Sequence, residues 1–366
     1  MARAVTLDIL PVHDVGYAEP DRFAGAPHPR EMLSLVGHGA AETEFLEAYR
    51  SGRLPHAWLI GGQEGIGKAT LAYRIARFVL AHPLPQAPAV RSATDLTLGA
   101  GSAVAHQIAA IAHPDLAIIR RGLTKDKKSV MTEISVDEVR RGLDVFAKTA
   151  GAGGYRVVIV DACEDLNASS ANALLKTLEE PPARSLLLLV THRPRRVLPT
   201  IRSRCRMLSL RPLEPADIAA VTRGMPDFSD LPEPLHQRAA ELGEGSVRRA
   251  LSVLEPKRLA FNDRVEATLA GLPHLDGNEI DAIAEQTAGR TGEEAFVRFC
   301  ELCESWLARE MAERPRDVAA LAPLSELWNR LGEGRRDVEA YNLDRRPFVI
   351  AMIADLAAAA RRPVRA

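Results

Sequence analysis

Cysteine is scarce in this chain. The 366 residues hold four, at 163, 205, 300 and 303, and none precedes 163. Four thiols, two of them close together, are too few for a disulfide scaffold and fit a reducing compartment. Aromatic residues are also few, at 5%, while Ala and Leu are abundant, which favours helix-rich packing. Excess charge is missing too: the formal net charge is −1, so no global field draws the chain onto nucleic acid. Any DNA contact has to be local or supplied by partners. No apolar run approaches the ~20 residues of a membrane span. The first residues, Met1 to Asp8, lack the charged-then-apolar pattern of a secretory leader. These absences predict a soluble, cytoplasmic protein with no membrane anchor. At about 150 residues per domain, the length predicts two or three domains.

What is there centres on Val157 to Cys205. The run Val157-Val158-Ile159-Val160 ends on Asp161, and a second apolar run, Leu186 to Val190, ends on Thr191. Uniformly apolar runs of this length read as central parallel strands covered on both faces. An acid at the carboxyl end of such a strand lies in the crevice where open α/β sheets bind ligands. About 90 residues earlier, Gly62-Gln63-Glu64-Gly65-Ile66-Gly67-Lys68 follows the short strand Ala57 to Ile60. The apolar face Leu71, Ile75, Phe78 and Val79 marks a helix after it. Strand, glycine loop and helix in that order suit phosphate binding, because the loop N–H groups point at an anion.

Around this centre, residues 1–35 carry Pro11, Pro20, Pro27 and Pro29 without periodicity. They read as an extended tail, either docked on the first domain or disordered. Ala41, Phe45, Leu46 and Tyr49 predict an amphipathic helix. Residues 83–105, rich in Pro, Gly and Ala, read as an insertion that interrupts the α/β alternation. Lys125, Lys127 and Lys128 read as a solvated hairpin tip in preference to a DNA phosphate contact. Ser135 followed by Glu138 reads as a capping box opening a helix over 136–148. Beyond Pro212 the patterns are helical. Phe296, Phe299, Cys300, Cys303 and Leu307 form one stripe. Leu324, Leu327, Trp328 and Leu331 form another, and Phe348, Ile350, Met352, Ile353 and Leu356 a third. The CxxC therefore reads as core packing in a helix, neither zinc nor redox.

Six segments, in order, carry a more specific signal: Leu54-Pro55-His56-Ala57, the glycine loop, His113-Pro114-Asp115, Asn172 to Pro182, Ser203-Arg204-Cys205 and Gly245-Ser246-Val247-Arg248-Arg249-Ala250. Together, over roughly residues 36–255, the chain resembles the AAA+ clamp-loader family of DNA replication. The resemblance implies an α/β AAA+ P-loop domain, a parallel sheet flanked by helices, over 36–212. It implies a small helical lid over 213–257 and an all-α collar over 258–366, through which subunits join into a ring. It further implies partners: gamma/tau and delta subunits in the ring, and the sliding clamp and primer-template DNA through the complex. Gly62, Gly65, Gly67, Lys68, Thr70, Asp161, Thr191 and Arg248 fall where the family holds ATP or ADP.

Two departures alter the expected chemistry. Ala69 stands where a Ser or Thr would follow the lysine to hold Mg²⁺, and Thr70 is turned ~100° away on the helix. Ala162 stands where a glutamate would orient the attacking water, and Glu164 and Asp165 are out of register. The pair predicts a chain that binds ATP or ADP weakly or not at all and does not hydrolyse ATP. In many relatives the 83–105 position carries a four-cysteine zinc module; without cysteine there, no zinc and no other metal is expected.

Arg204 points the other way. In the family, the arginine of Ser-Arg-Cys reaches across a subunit boundary to a neighbour's γ-phosphate. A planar, permanently charged guanidinium suits that task. Arg248 matches the second sensor arginine, with Arg249 as the solvent-facing alternative. The expectation is a non-hydrolysing structural subunit of a DNA polymerase holoenzyme, with neither polymerase nor ATPase activity of its own. The alternatives are an active ATPase, such as the gamma/tau-like motor subunit of the same complex, and, more distantly, a P-loop kinase or transferase.

Overall fold

The computed structural model describes residues 7–11, 19, 21–23, 25–124, 130–147, 154–289, 292–313, 318–341 and 343–361. Lys125, Lys127 and Lys128 lie outside the described residues, as does Lys148 at the end of the predicted 136–148 helix. The chain divides into two compact units, Met1–Val253 and Leu254–Ala366.

In the first unit, helix α1 (Gly39–Arg50) precedes strand β1 (Ala57–Gly61) and helix α2 (Lys68–Ala81). Next come α3 (Pro88–Ser92), α4 (Ala103–Ala109), β2 (Leu116–Arg120), α5 (Val136–Leu143) and β3 (Arg156–Asp161). Then follow α6 (Ala168–Glu179), β4 (Ser185–Thr191), α7 (Pro199–Arg202) and β5 (Arg206–Ser209). Helices α8 (Pro215–Gly224), α9 (Glu233–Leu242) and α10 (Val247–Leu254) end the series. The strands form one five-stranded sheet in the order β2-β3-β4-β1-β5. Every pairing is parallel.

Alternation along the strands explains their apolar runs. Trp58, Ile60, Val157, Ile159, Leu186 and Leu188 pack with Phe45 and Tyr49 of α1 and Leu71, Ile75 and Phe78 of α2. The intervening residues Leu59, Val158, Val160, Leu187 and Leu189 pack on the other face with Val139 of α5 and Leu174 and Leu178 of α6. A parallel sheet covered on both faces has no polar side to display, so period-2 alternation of polarity vanishes. Register then aligns the strand ends: Gly61 pairs with Thr191, and Asp161 with Val190. The glycine loop leaves β1 at this edge, beside the ends of β4 and β3.

The 83–105 segment contains more structure than its composition suggests. It supplies α3 and the start of α4, and Val90, Leu96 and Ile108 are buried against the α1–α2 side of the core. In the first residues, charge pairing does what apolar burial does elsewhere. His28, Arg30 and Glu31 are fully buried. Arg30 pairs with Glu19, Arg120 with Glu19 (2.9 Å) and Asp21 (2.5 Å), and Arg22 with Glu31 (2.7 Å). Arg77 of α2 donates to the carbonyl oxygens of Met32 (2.8 Å) and Arg30 (2.6 Å). Buried charges are tolerable when matched in this way.

Ser135 caps α5 by accepting the Glu138 N–H at 3.2 Å, but the Glu138 carboxylate bonds Arg141 at 2.9 Å. Only half of the predicted capping box is made, and α5 ends at Leu143, followed by a 3-10 turn over Asp144–Ala147.

The second unit is helical: α11 (Pro256–Ala270), α12 (Gly277–Gln286), α13 (Glu293–Glu313), α14 (Val318–Tyr341) and α15 (Arg345–Ala360). Phe296, Phe299, Cys300, Cys303 and Leu307 of α13 pack with Leu324 and Leu331 of α14 and Val349, Ile353 and Leu356 of α15. Both cysteines are fully buried in that core. Trp328 and Ile350, read as members of apolar faces, are each 39% exposed. Each follows a buried residue directly in sequence, and one step is ~100° around a helix. Among the described residues no helix is long and apolar enough to cross a membrane.

Candidate nucleotide site

A cavity of about 260 Å³ opens at the carboxyl edge of the sheet. Its polar floor holds Gly65, Gly67, Lys68, Ala69, Thr70, Asp161 and Ala162. Its apolar walls include Phe23, Met32, Leu35, Val221, Met225 and Leu251. The structure thus brings together Gly65, Gly67, Lys68, Thr70, Asp161 and Arg248 from three separate stretches of sequence.

Backbone geometry explains the glycines. Gly65 has φ +76°, and a Cβ there would sit 2.4 Å from both Arg248 Cβ and Ser246 Oγ. The approach is close because the Gly65 carbonyl oxygen accepts the Val247 N–H at 2.9 Å, joining the glycine loop to the start of α10. Gly67 has φ +101° and opens α2 from a left-handed conformation. His38 Nε2 donates to the Ile66 carbonyl oxygen at 2.6 Å, holding the same loop from the α1 side.

Lys68 is nearly buried, and its ammonium donates to the Gln63 carbonyl oxygen. Burial pushes its pKa down to about 8, against the pull of Asp161. Burial likewise pushes Asp161 up to about 7, with Asp21 adding repulsion and Lys68 opposing. Arg248 reaches the cavity, with Nε 3.4 Å from Glu64 Oε1 and its guanidinium 5.5 Å from the Phe23 ring centre. Arg249 turns outward to Glu244 at 2.7 Å, so of the two neighbouring arginines only Arg248 faces the site.

Two expected members are not in the cavity lining. Gly62 instead lies against Ile66 and Leu210, each 2.7 Å from where a Cβ would sit. Thr191 is fully buried at the end of β4, and its Oγ1 accepts the Arg193 N–H at 3.1 Å. The next residue, His192, lines the cavity instead. Glu164 is occupied elsewhere: its Oε1 accepts the His192 and Arg193 N–H groups at 2.5 and 2.8 Å, tying the end of β3 to the end of β4. Asp21, Phe23 and Arg121 also line the cavity with no motif to mark them, and Asp165, expected out of register, lines it too. Asp21 and Phe23 lie in the Pro-bearing first residues, where no period marks a wall. Arg121 and Asp165, paired at 3.1 Å, each follow a strand end and were legible only as polar neighbours.

The residues present do not make a magnesium site. Ala69 offers a methyl group where an oxygen would be needed. Phosphate oxygens fit better: loop N–H groups, the N-terminus of a 14-residue helix and two cations converge there.

Arg204 lies away from this cavity, in the turn after α7. Its Nη2 meets Glu179 Oε1 at 2.8 Å, and its Nη1 donates to the Thr200 carbonyl oxygen at 2.9 Å.

Residues 37–214 match the family model described as DNA polymerase III, delta subunit. The DNA polymerase III subunit delta′ of Pseudomonas aeruginosa is 38% identical over 174 residues, 47% of this chain and 48% of that protein. Subunit delta′ of Escherichia coli is 35% identical over 179 residues, 49% of this chain and 48% of that protein. The subunit tau/gamma of Haemophilus influenzae is 26% identical over 311 residues, 81% of this chain and 42% of that protein. The chain thus spans about half the length, or less, of these curated relatives. Over its α/β part the chain is similar to the delta′ subunits of DNA polymerase III.

Proposed function

We propose that this chain is the delta′ subunit of a DNA polymerase III clamp loader, an AAA+ protein that acts in DNA replication without hydrolysing ATP itself. In this reading α8–α10, over 213–257, form the lid. Residues 258–366 form the collar that joins a ring with gamma/tau and delta subunits in the cytoplasm. The ring loads the sliding clamp onto primer-template DNA.

The observation that carries the reading is a built phosphate cradle that lacks both hydrolytic groups. Ala69 and Ala162 both line the cavity; of the carboxylates that follow, Glu164 turns its Oε1 to the His192 and Arg193 N–H groups and Asp165 pairs with Arg121 at 3.1 Å. Such a cradle can hold phosphate through Gly65, Gly67, Lys68, Thr70 and Arg248, yet Ala162 stands where a glutamate would orient water. Weak binding of ATP or ADP without turnover is the consequence. Arg204 supplies what this chain gives to the reaction: a guanidinium on the outside of the α/β unit, offered to the γ-phosphate of a neighbour. Charge develops on that phosphate during transfer, and a fixed cation stabilises it.

An active motor subunit is the second reading, favoured only by the longer alignment with tau/gamma. The deciding experiment is ATP turnover by the purified chain beside reconstitution with gamma/tau and delta. Turnover comparable to gamma/tau would reverse the assignment.

A further inference from the structure

We propose that Glu179, the last residue of α6, is a positioning residue that aims Arg204 at the neighbour's nucleotide. The proposal rests on the reading of Arg204 as a group acting in trans. Three contacts set the guanidinium direction: Glu179 Oε1 on Nη2 at 2.8 Å, the Thr200 carbonyl oxygen on Nη1 at 2.9 Å, and Ser203 Oγ near Nη1 at 3.3 Å. Arg202, the last residue of α7, has no such anchor among the described residues. Nη1 thus donates to two oxygens and Nη2 lies at ion-pair distance from the carboxylate, while Nε donates to no described residue. An edge of the fork stays open for a phosphate oxygen.

The position of Glu179 is locally unfavourable. A carboxylate on the last residue of a helix faces the negative end of the macrodipole. A residue that breaks a local rule is best explained by a use elsewhere, and the Arg204 guanidinium is what this carboxylate meets. The contact also links two of the diagnostic segments, Asn172 to Pro182 and Ser203-Arg204-Cys205, which lie apart in sequence. The pair is half-exposed, at 35% for Arg204 and 52% for Glu179. Its contribution is therefore to direction more than to stability. A carboxylate beside the guanidinium does not strengthen its attraction for phosphate, so Glu179 acts on kcat and leaves KM for ATP unchanged.

The test is the ATPase of the reconstituted ring, stimulated by DNA and clamp. Glu179→Ala is expected to lower the Arg204-dependent part of the rate about two- to fivefold, the range that one exposed ion pair supports. Glu179→Gln, which keeps an acceptor oxygen, should lose less, and Glu180→Ala, the adjacent carboxylate, should lose nothing. In an Arg204→Ala background, Glu179→Ala should have no further effect. A loss that persists in that background would reveal a general role for the end of α6 and overturn the proposal. A rate gain, or no change while Arg204→Ala is impaired, would overturn it as well. If Arg204→Ala itself costs no rate in an intact ring, the reading of Arg204 fails, and that of Glu179 falls with it.

Discussion

The Lys68 ammonium donates its hydrogen bond to the carbonyl oxygen of Gln63, inside its own glycine loop. A neighbouring cation is held in the same way, since Arg248 lies beside Glu64. The loop thus meets its cations with its own oxygens where a phosphate would otherwise meet them.

Turnover tests the hydrolytic reading directly. The isolated chain is expected to hydrolyse ATP no faster than a Lys68→Ala variant, because Ala69 and Ala162 leave neither a metal ligand nor a water-orienting group. A steady-state ATPase assay checks this; a rate clearly above the Lys68→Ala control would sink the assignment. Binding without turnover leaves it intact.

Arg204→Ala should leave the chain folded and able to join the ring, because a half-exposed turn residue contributes little packing. The DNA- and clamp-stimulated ATPase should nevertheless fall, with the loss confined to the one site that Arg204 faces. Removing such an arginine costs ~10³-fold or more at its own site. Arg204→Lys should rescue poorly, since an ammonium cannot reproduce the guanidinium fork. Arg202→Ala is the matched control, and equal losses at both positions would mean a general charge effect.

The Asp161 carboxyl carries a pH signature. Its folded value of about 7 lies above the ordinary 3.8. Its contribution to stability is therefore complete below about 4 and lost as pH rises through about 7. Asp161→Asn removes that dependence. Its melting temperature relative to the parent should increase by a few degrees between pH 5 and pH 7.5. A difference that is flat with pH would show that Asp161 ionises as an ordinary exposed acid.

Gly65→Ala should destabilise the first unit by about 1–3 kcal/mol, the usual cost of overpacking. The added methyl meets Arg248 and Ser246 at 2.4 Å and the backbone is left-handed. Thermal or urea denaturation reads it out. An unchanged midpoint would mean that α10 moves away at no cost.

Elemental analysis of the pure protein should return no stoichiometric zinc. Cys300 and Cys303 are fully buried in apolar surroundings, and burial raises the Cys303 thiol well above its usual range. One zinc per chain would refute this.

Local sequence was enough for those parts whose cause is local. The apolar runs 157–160 and 186–190 announce central strands, because a sheet covered on both faces leaves no polar positions. The glycine loop announces its helix, and Ala69 and Ala162 announce missing chemistry, because a methyl group cannot ligate a metal or orient water in any fold. Ala41, Phe45, Leu46 and Tyr49 announce α1 through period alone.

Tertiary structure decided what depends on separation in sequence. Asp21 and Phe23 become a cavity wall because Arg30, Arg77 and Arg120 pin the first residues down, and ion pairing has no period to read. Thr191 turns away and His192 turns in because side chains alternate at a strand end, and the bonds of Glu164 set where that alternation stops. Glu179 meets Arg204 through the packing of α6 beside α7, 25 residues apart in the chain. Periodicity and motif follow from the chemistry of neighbouring residues. Contacts of this kind follow from where the sheet places its helices, which no single segment contains.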